Sequence, residues 1–362
     1  MIVYLFFFVV FAIISQGTKK FSTSCFFMAF ALLLIIGLRD MYTGTDTPDY
    51  VTNNFMRLRG ISYEAMAREI EYKTEPLFFI LTWCIGHVFD SYTVFLLFWA
   101  AFPAYSIYAT LKRELKVSND LWISYLVFFL LSLFSFFIAG MRQTVAISIV
   151  FFALRYIEEP ITIKVIRESR FWKYMLCILF GYYIHNSIVI FAFLYPLIPV
   201  LQRQKPRWWF LIPIVSLFFV GNFIDLGQIG IVSSYLFNER YANYGTVYES
   251  SMSSSAFIMQ LILFIICFVV RNKLIKQDSR NILLINLVFV GLVFQSLAGM
   301  IAEMFRMSYY FSIFYIILIP RVLRILSNNG KEPIYSIAFS ILGLVFLFFL
   351  SSAHMPEYHF FF

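Results

Sequence analysis

The stretch FSTSCFFMAFALLLIIGLRD, residues 21–40, decides the fold. From Phe21 to Leu38 it carries no charge, Lys19 and Lys20 stand before it, and Arg39-Asp40 close it. Crossing a bilayer takes about 20 mainly apolar residues in a helix. The run therefore predicts a membrane helix with its lysines in the cytoplasm and its Arg39 end facing out.

Runs of the same kind recur along the chain. Bounded by charge or by Pro and Gly, they fall near 2–16, 76–89, 91–111, 121–140, 143–157, 172–186, 188–200, 208–223, 256–270, 281–300, 303–319 and 333–351. The 362 residues are 61% hydrophobic and 13% charged, against roughly half and a quarter in soluble domains. Too little polar surface exists to face water, so lipid is the expected solvent. The expectation is an all-α, polytopic protein forming a single integral membrane domain over 1–362. The first run has no charge in front and no small-residue cleavage site, so it reads as a retained helix.

A net charge of +8 usually suggests nucleic acid. Here Lys and Arg are scattered between apolar runs, which suits orienting helices, and no nucleic-acid partner is expected. Cys25, Cys84, Cys177 and Cys267 lie on separate apolar runs with no CxxC spacing. They read as buried free thiols, and no metal site is expected from them. No Walker A, GxGxxG, HExxH or GxSxG pattern has a convincing context, so no cofactor is expected.

Charge also orients the runs. With the N-terminus outside and 76–89 dipping without crossing, the remaining runs make twelve crossings. That arrangement places 20 of the 28 Lys and Arg in the cytoplasm; the others are Arg39, Arg57, Arg59, Arg68, Lys73, Arg142, Arg240 and Arg306. If 76–89 crossed, the bias would reverse against the positive-inside rule. Two long segments then face outward, 39–75 and 224–255. In the first, Thr47 is expected to cap a helix with Pro48 in its first turn. Val51, Phe55 and Leu58 share one face, and Gly60 stops it. Thr74-Glu75-Pro76 is expected to open the dipping segment.

Charges in or beside membrane helices are expensive and usually functional. Arg39-Asp40, Asp46, Asp49, Glu75, Arg142, His185, Glu303 and Arg306 all fall on the outward side of this topology. Plainer readings exist for each: Arg39 and Arg306 as snorkelling side chains, Glu303 with Arg306 as a local pair, His185 as a buried hydrogen-bonded imidazole, Glu75 as a first-turn carboxylate, Asp46 as an Asx turn. Together, arginines beside carboxylates and a histidine suit an anionic, lipid-linked substrate, because guanidinium matches phosphate oxygens bidentately.

The run Gly37-Leu38-Arg39-Asp40-Met41-Tyr42-Thr43-Gly44-Thr45-Asp46-Thr47-Pro48-Asp49-Tyr50 resembles the first signature of the EpsG family, Wzy-like polymerases of bacterial surface polysaccharides. Glu75-Pro76-Leu77, Met141-Arg142-Gln143, His185-Asn186-Ser187, Arg240-Tyr241 with Tyr244, and Arg306 ahead of Tyr309-Tyr310-Phe311 follow in order. The resemblance implies a glycosyltransferase C-like architecture with outward-facing loops, in the bacterial inner membrane with its site facing the periplasm. It implies that undecaprenyl-diphosphate-linked oligosaccharides are the substrates, with membrane lipid around them and a chain-length regulator as a candidate protein partner. No metal is implied.

On that basis Arg142, Arg306 and Arg39 are candidates to hold the departing diphosphate. His185, Asp46 and Glu75 are rival candidates for the general base. Tyr241 and Tyr244, with Asp49, are candidate sugar contacts, although the tyrosines equally fit an interfacial aromatic belt. A lipid-linked oligosaccharide flippase and an O-antigen ligase are the competing functions.

Overall fold

A computed structural model describes residues 2–17, 20–71, 73–157, 169–223, 251–299, 301, 303–353 and 358–360. Regular structure among them is helical, with one isolated antiparallel bridge between Arg39 and Phe360. The chain divides into two compact units: Met1–Leu197 with Pro333–Phe362, and Ile198–Glu332.

The first unit opens with α1 (Ile2–Gly17) and α2 (Phe21–Gly37). Next comes α3, residues 47–59, built of Thr47–Asp49, a wider π-helical stretch Tyr50–Met56, and Arg57–Arg59. Val51, Phe55 and Leu58 are buried along it, as their spacing predicts. The start differs from expectation: Asp46 holds the cap position, and the Thr47 hydroxyl is turned to other partners described below.

The helices α4 (Tyr63–Glu71) and α5 (Pro76–Val88) complete the outward segment's layer. Both α3 and α4 pack on α5. Trp83 Nε1 donates to the Ile61 carbonyl at 3.1 Å, Tyr63 meets Trp83 edge to face, and Arg59 pairs with Asp90. With 13 residues, α5 is about 20 Å long, against a hydrocarbon core of about 30 Å. Cys84 on α5 is exposed, which corrects the expectation of a buried thiol; Cys25 and Cys267 are buried.

The core of this unit is made by α6 (Tyr92–Glu114), α7 (Ser118–Leu130), α8 (Leu133–Ala139), α9 (Met141–Ala153) and α10 (Ser169–Tyr182). The α2–α6, α6–α9 and α9–α10 pairs pack side by side. Hydroxyls tie α6 to α9: Ser106 Oγ donates to the Ser148 carbonyl at 2.5 Å and Thr110 Oγ1 to that of Phe151 at 3.3 Å. In an apolar medium such bonds replace the hydrophobic drive that helices lack there. The run 121–140, expected as one helix, bends by 63° between α7 and α8. Ser132 sits at the break with φ 55°.

After α10 the chain turns into α11, Asn186–Arg203, which leads into the second unit. That unit holds α12 (Leu211–Phe223), α13 (Ser251–Val269), α14 (Arg271–Gln277), α15 (Asn281–Ser296), α16 (Glu303–Ser312) and α17 (Tyr315–Leu326). A buried polar lock joins four of them: Gln260 Nε2 donates to Ser308 Oγ at 2.9 Å and Gln295 Oε1 at 3.3 Å, and Tyr315 donates to the Gln260 carbonyl at 3.0 Å. Finally α18 (Ile334–Ala353) returns to the first unit and packs on α7, where Trp122 Nε1 meets Ser340 Oγ.

Among the described residues, α6 and α11 are each long and apolar enough to cross a membrane unbroken. Three bent pairs, α7–α8, α13–α14 and α16–α17, qualify if each is one span, and several shorter apolar helices accompany them.

Candidate functional site

Three separate stretches of the first unit meet at one carboxylate. Glu75 stands at the cap position of α5, but its side chain does not cap that helix. Instead Oε1 accepts from His185 Nδ1 at 2.7 Å and from the Asn186 backbone N–H at 3.1 Å. Oε2 accepts from Arg142 Nη1 at 2.6 Å. Glu75 is 6% exposed, so both oxygens are committed inside the protein. Burial acts to raise this carboxyl; the hydrogen bond and charge of His185 and the charge of Arg142 outweigh it and hold the group below the usual carboxylate range.

Local structure puts each partner there. Past α10 the chain folds back on Gly181, whose carbonyl accepts from both Ile184 and His185 N–H. A side chain at Gly181 would run into Ile188, so glycine permits this close return. His185 is extended, with φ −154° and ψ 114°, and stands clear of the turn. The Tyr183 carbonyl accepts from Leu77 N–H at 3.0 Å, which clamps the turn to the start of α5.

Arg142 comes from the first turn of α9, just past the Gly140 break. Its guanidinium carbon lies 5.8 Å from the Tyr50 ring centre and 5.4 Å from that of Phe78, within cation–π reach. Its Nε is buried without a hydrogen-bond partner, and the side chain keeps 33% exposure. A cation placed at the positive end of a helix is favourable only when anions answer it. Glu75 supplies one negative charge and engages one nitrogen.

The ionised carboxylate can only accept, so the proton on the Glu75–His185 bond belongs to Nδ1. That leaves Nε2 of the partly exposed ring as the nitrogen available to a substrate hydroxyl. A carboxylate that orients an imidazole is a recurrent base arrangement.

The other sequence candidates are placed differently. Asp46 is half-buried at the α3 cap, and its charge bears on Tyr50. Asp49 is exposed; it accepts from Asn53 Nδ2 at 2.6 Å, and its charge bears on Arg142. Arg39 is 1% exposed. Its Nη1 donates to the Ile36 carbonyl and its Nε to Thr47 Oγ1 at 3.3 Å. Desolvation pushes its pKa down to about 10, so it stays charged at neutral pH. Arg306 belongs to α16 in the second unit, half-buried beside the Phe305 ring. Tyr241 and Tyr244 lie outside the described residues.

Sequence reasoning assigned no role to Tyr50 or Phe78, the rings that flank Arg142. Their signal was available: Tyr50 closes the motif that carries Asp49, and Phe78 directly follows Glu75-Pro76-Leu77. The Asn186 backbone N–H carried no signal, since a main-chain donor has no residue type. Among the described residues no three His, Cys, Asp or Glu side chains gather as a metal-binding group.

The model of the EpsG family covers residues 22–362. No curated protein and no solved structure matches the chain.

Proposed function

Because the chain belongs to the EpsG family of Wzy-like polymerases, we propose that it joins undecaprenyl-diphosphate-linked oligosaccharide repeat units at the periplasmic face of the bacterial inner membrane. The product is an O-antigen, capsule or exopolysaccharide chain. The observation that carries this reading is the double engagement of Glu75, which holds a candidate base and a candidate phosphate ligand on one buried carboxylate. Charge bias supports twelve crossings, with α5 dipping from the outer side; its short length and its packing against α3 and α4 support that placement.

In the reaction, an acceptor sugar hydroxyl attacks the anomeric carbon of the growing glycan. A new glycosidic C–O bond forms, and the bond to the lipid diphosphate breaks. His185 Nε2 takes the hydroxyl proton. Arg142 stabilises the negative charge gathering on the departing diphosphate. Negative charge on the diphosphate grows as its bond to the glycan breaks, so Arg142 acts most strongly as the leaving group departs.

Cells lacking the protein test this directly. Loss of a polymerase leaves single exported repeat units; loss of a flippase leaves the carrier-linked unit inside; loss of a ligase leaves long unattached chains. Single exported units, restored to a ladder by the wild-type chain, are the expected result. Either other phenotype refutes polymerisation.

A further inference from the structure

Arg142 is aimed by a chain of contacts that begins far from the reacting groups, and its middle link is Thr47. This residue is 0% exposed. Its hydroxyl accepts from Arg39 Nε at 3.3 Å and donates to the Ile138 carbonyl at 3.2 Å. Ile138 lies in the last turn of α8, two residues before the Gly140 break from which α9 and Arg142 start. One turn beyond Thr47 stands Tyr50, whose ring lies against the Arg142 guanidinium. Thr47 thus fixes both the helix break that projects Arg142 and the ring that flanks it.

The loop bearing Thr47 is itself seated on Ile138. Gly44 takes φ +91°, and a Cβ there would fall 2.7 Å from Ile138 Cγ2. Residues 358–360 hold its other side. Asp40 N–H donates to the His359 carbonyl at 2.8 Å, and Thr43 Oγ1 exchanges bonds with the His359 carbonyl and N–H at 3.1 and 3.0 Å. Phe360 bridges Arg39, and the Tyr358 hydroxyl donates to the Ile35 carbonyl.

We infer that Thr47, with Arg39 behind it, is a positioning residue for Arg142, and that residues 358–360 latch the loop in which it acts. This rests on Arg142 serving as the diphosphate ligand. Burial and bonding give Arg39 the part of a strut: its fork grips a carbonyl of the last turn of α2 and the Thr47 hydroxyl.

The test uses purified full-length protein in detergent, with phenylglyoxal as an arginine probe and mass spectrometry to locate the modification. Elongation of a lipid-linked acceptor is measured in parallel. Thr47→Val removes the hydroxyl at nearly constant shape. It is expected to raise the labelling rate of Arg142 several-fold and to lower elongation about tenfold, the scale of one lost buried hydrogen bond. Thr47→Ser restores both values, and Arg39 remains unlabelled in the wild type and in Thr47→Ser.

Unchanged Arg142 labelling in a folded Thr47→Val protein overturns the inference. If that variant fails to accumulate, Thr43→Val decides, because it loosens the latch while leaving Thr47 intact. Raised Arg142 labelling supports the inference, and wild-type labelling overturns it. Labelling does not depend on turnover. If Arg142→Ala elongates normally while Thr47→Val still unmasks Arg142, the reading of Arg142 as phosphate ligand has failed and the positioning has not.

Discussion

His185 Nδ1 and Glu75 Oε1 lie 2.7 Å apart, and this contact ranks the candidate bases. A carboxylate with both oxygens engaged, held below its usual range, is a poor proton acceptor. The imidazole it orients keeps a free nitrogen for that work.

His185→Ala is therefore expected to cut elongation by about 10²–10⁴-fold, the usual worth of a positioned base. Glu75→Gln should approach the same loss. A carboxamide can turn its NH₂ toward Nδ1 and favour the opposite tautomer, with the proton on Nε2. Chain-length ladders and single-turnover rates measure both. Near-normal turnover in His185→Ala moves the base role to Asp46, where Asp46→Asn then becomes the inactive variant.

Arg142→Ala should stop elongation while leaving protein abundance close to normal. Because Arg142 is one-third exposed, its removal should cost about 1–3 kcal/mol of stability, below the range for a fully buried pair. Thermal unfolding in detergent measures that loss. A ladder of normal length from this variant removes Arg142 from leaving-group stabilisation.

Arg306→Ala asks the same of the second unit. Loss of elongation with an unchanged unfolding temperature supports a ligand role. Lost stability with retained activity assigns it to the structure of α16.

The depressed Glu75 carboxyl carries a sign. A group whose folded pKa lies below its ordinary value, 4.5, adds stability that is complete above that value. The stability is lost as pH falls through the folded pKa. The difference in unfolding temperature between wild type and Glu75→Gln should therefore be flat through neutral pH and shrink below about pH 4.5. A difference that grows on acidification contradicts the ionised assignment.

Gly44→Ala places a Cβ where backbone and space both oppose it. The expected cost is about 1–3 kcal/mol, with faster proteolysis in 39–47 as the local readout. Wild-type protection shows that the loop can yield.

Much of this was legible in the chain. Uncharged runs such as 21–38 announce helices, and Val51, Phe55 and Leu58 reveal the buried face of α3 through their spacing alone. Glu75, Arg142 and His185 stood out as charged or titratable groups that lipid tolerates poorly. Their meeting was not legible, because Arg142 stands 67 and His185 110 residues beyond Glu75, and no local pattern encodes such a distance. Arg39 stood out by its charge, whereas its burial does not show in a sequence. The bend at Ser132 was hidden because neither glycine nor proline marks it.

The pairing of residues 39–43 with 358–360 also has a temporal side. Residues 39–43 are synthesised more than 300 residues before 358–360. Until then the Asp40 amide and the Thr43 hydroxyl must stay hydrated or bind elsewhere. Order in this early segment is therefore a late event of biogenesis, and a nascent chain stalled before His359 carries an unfastened loop.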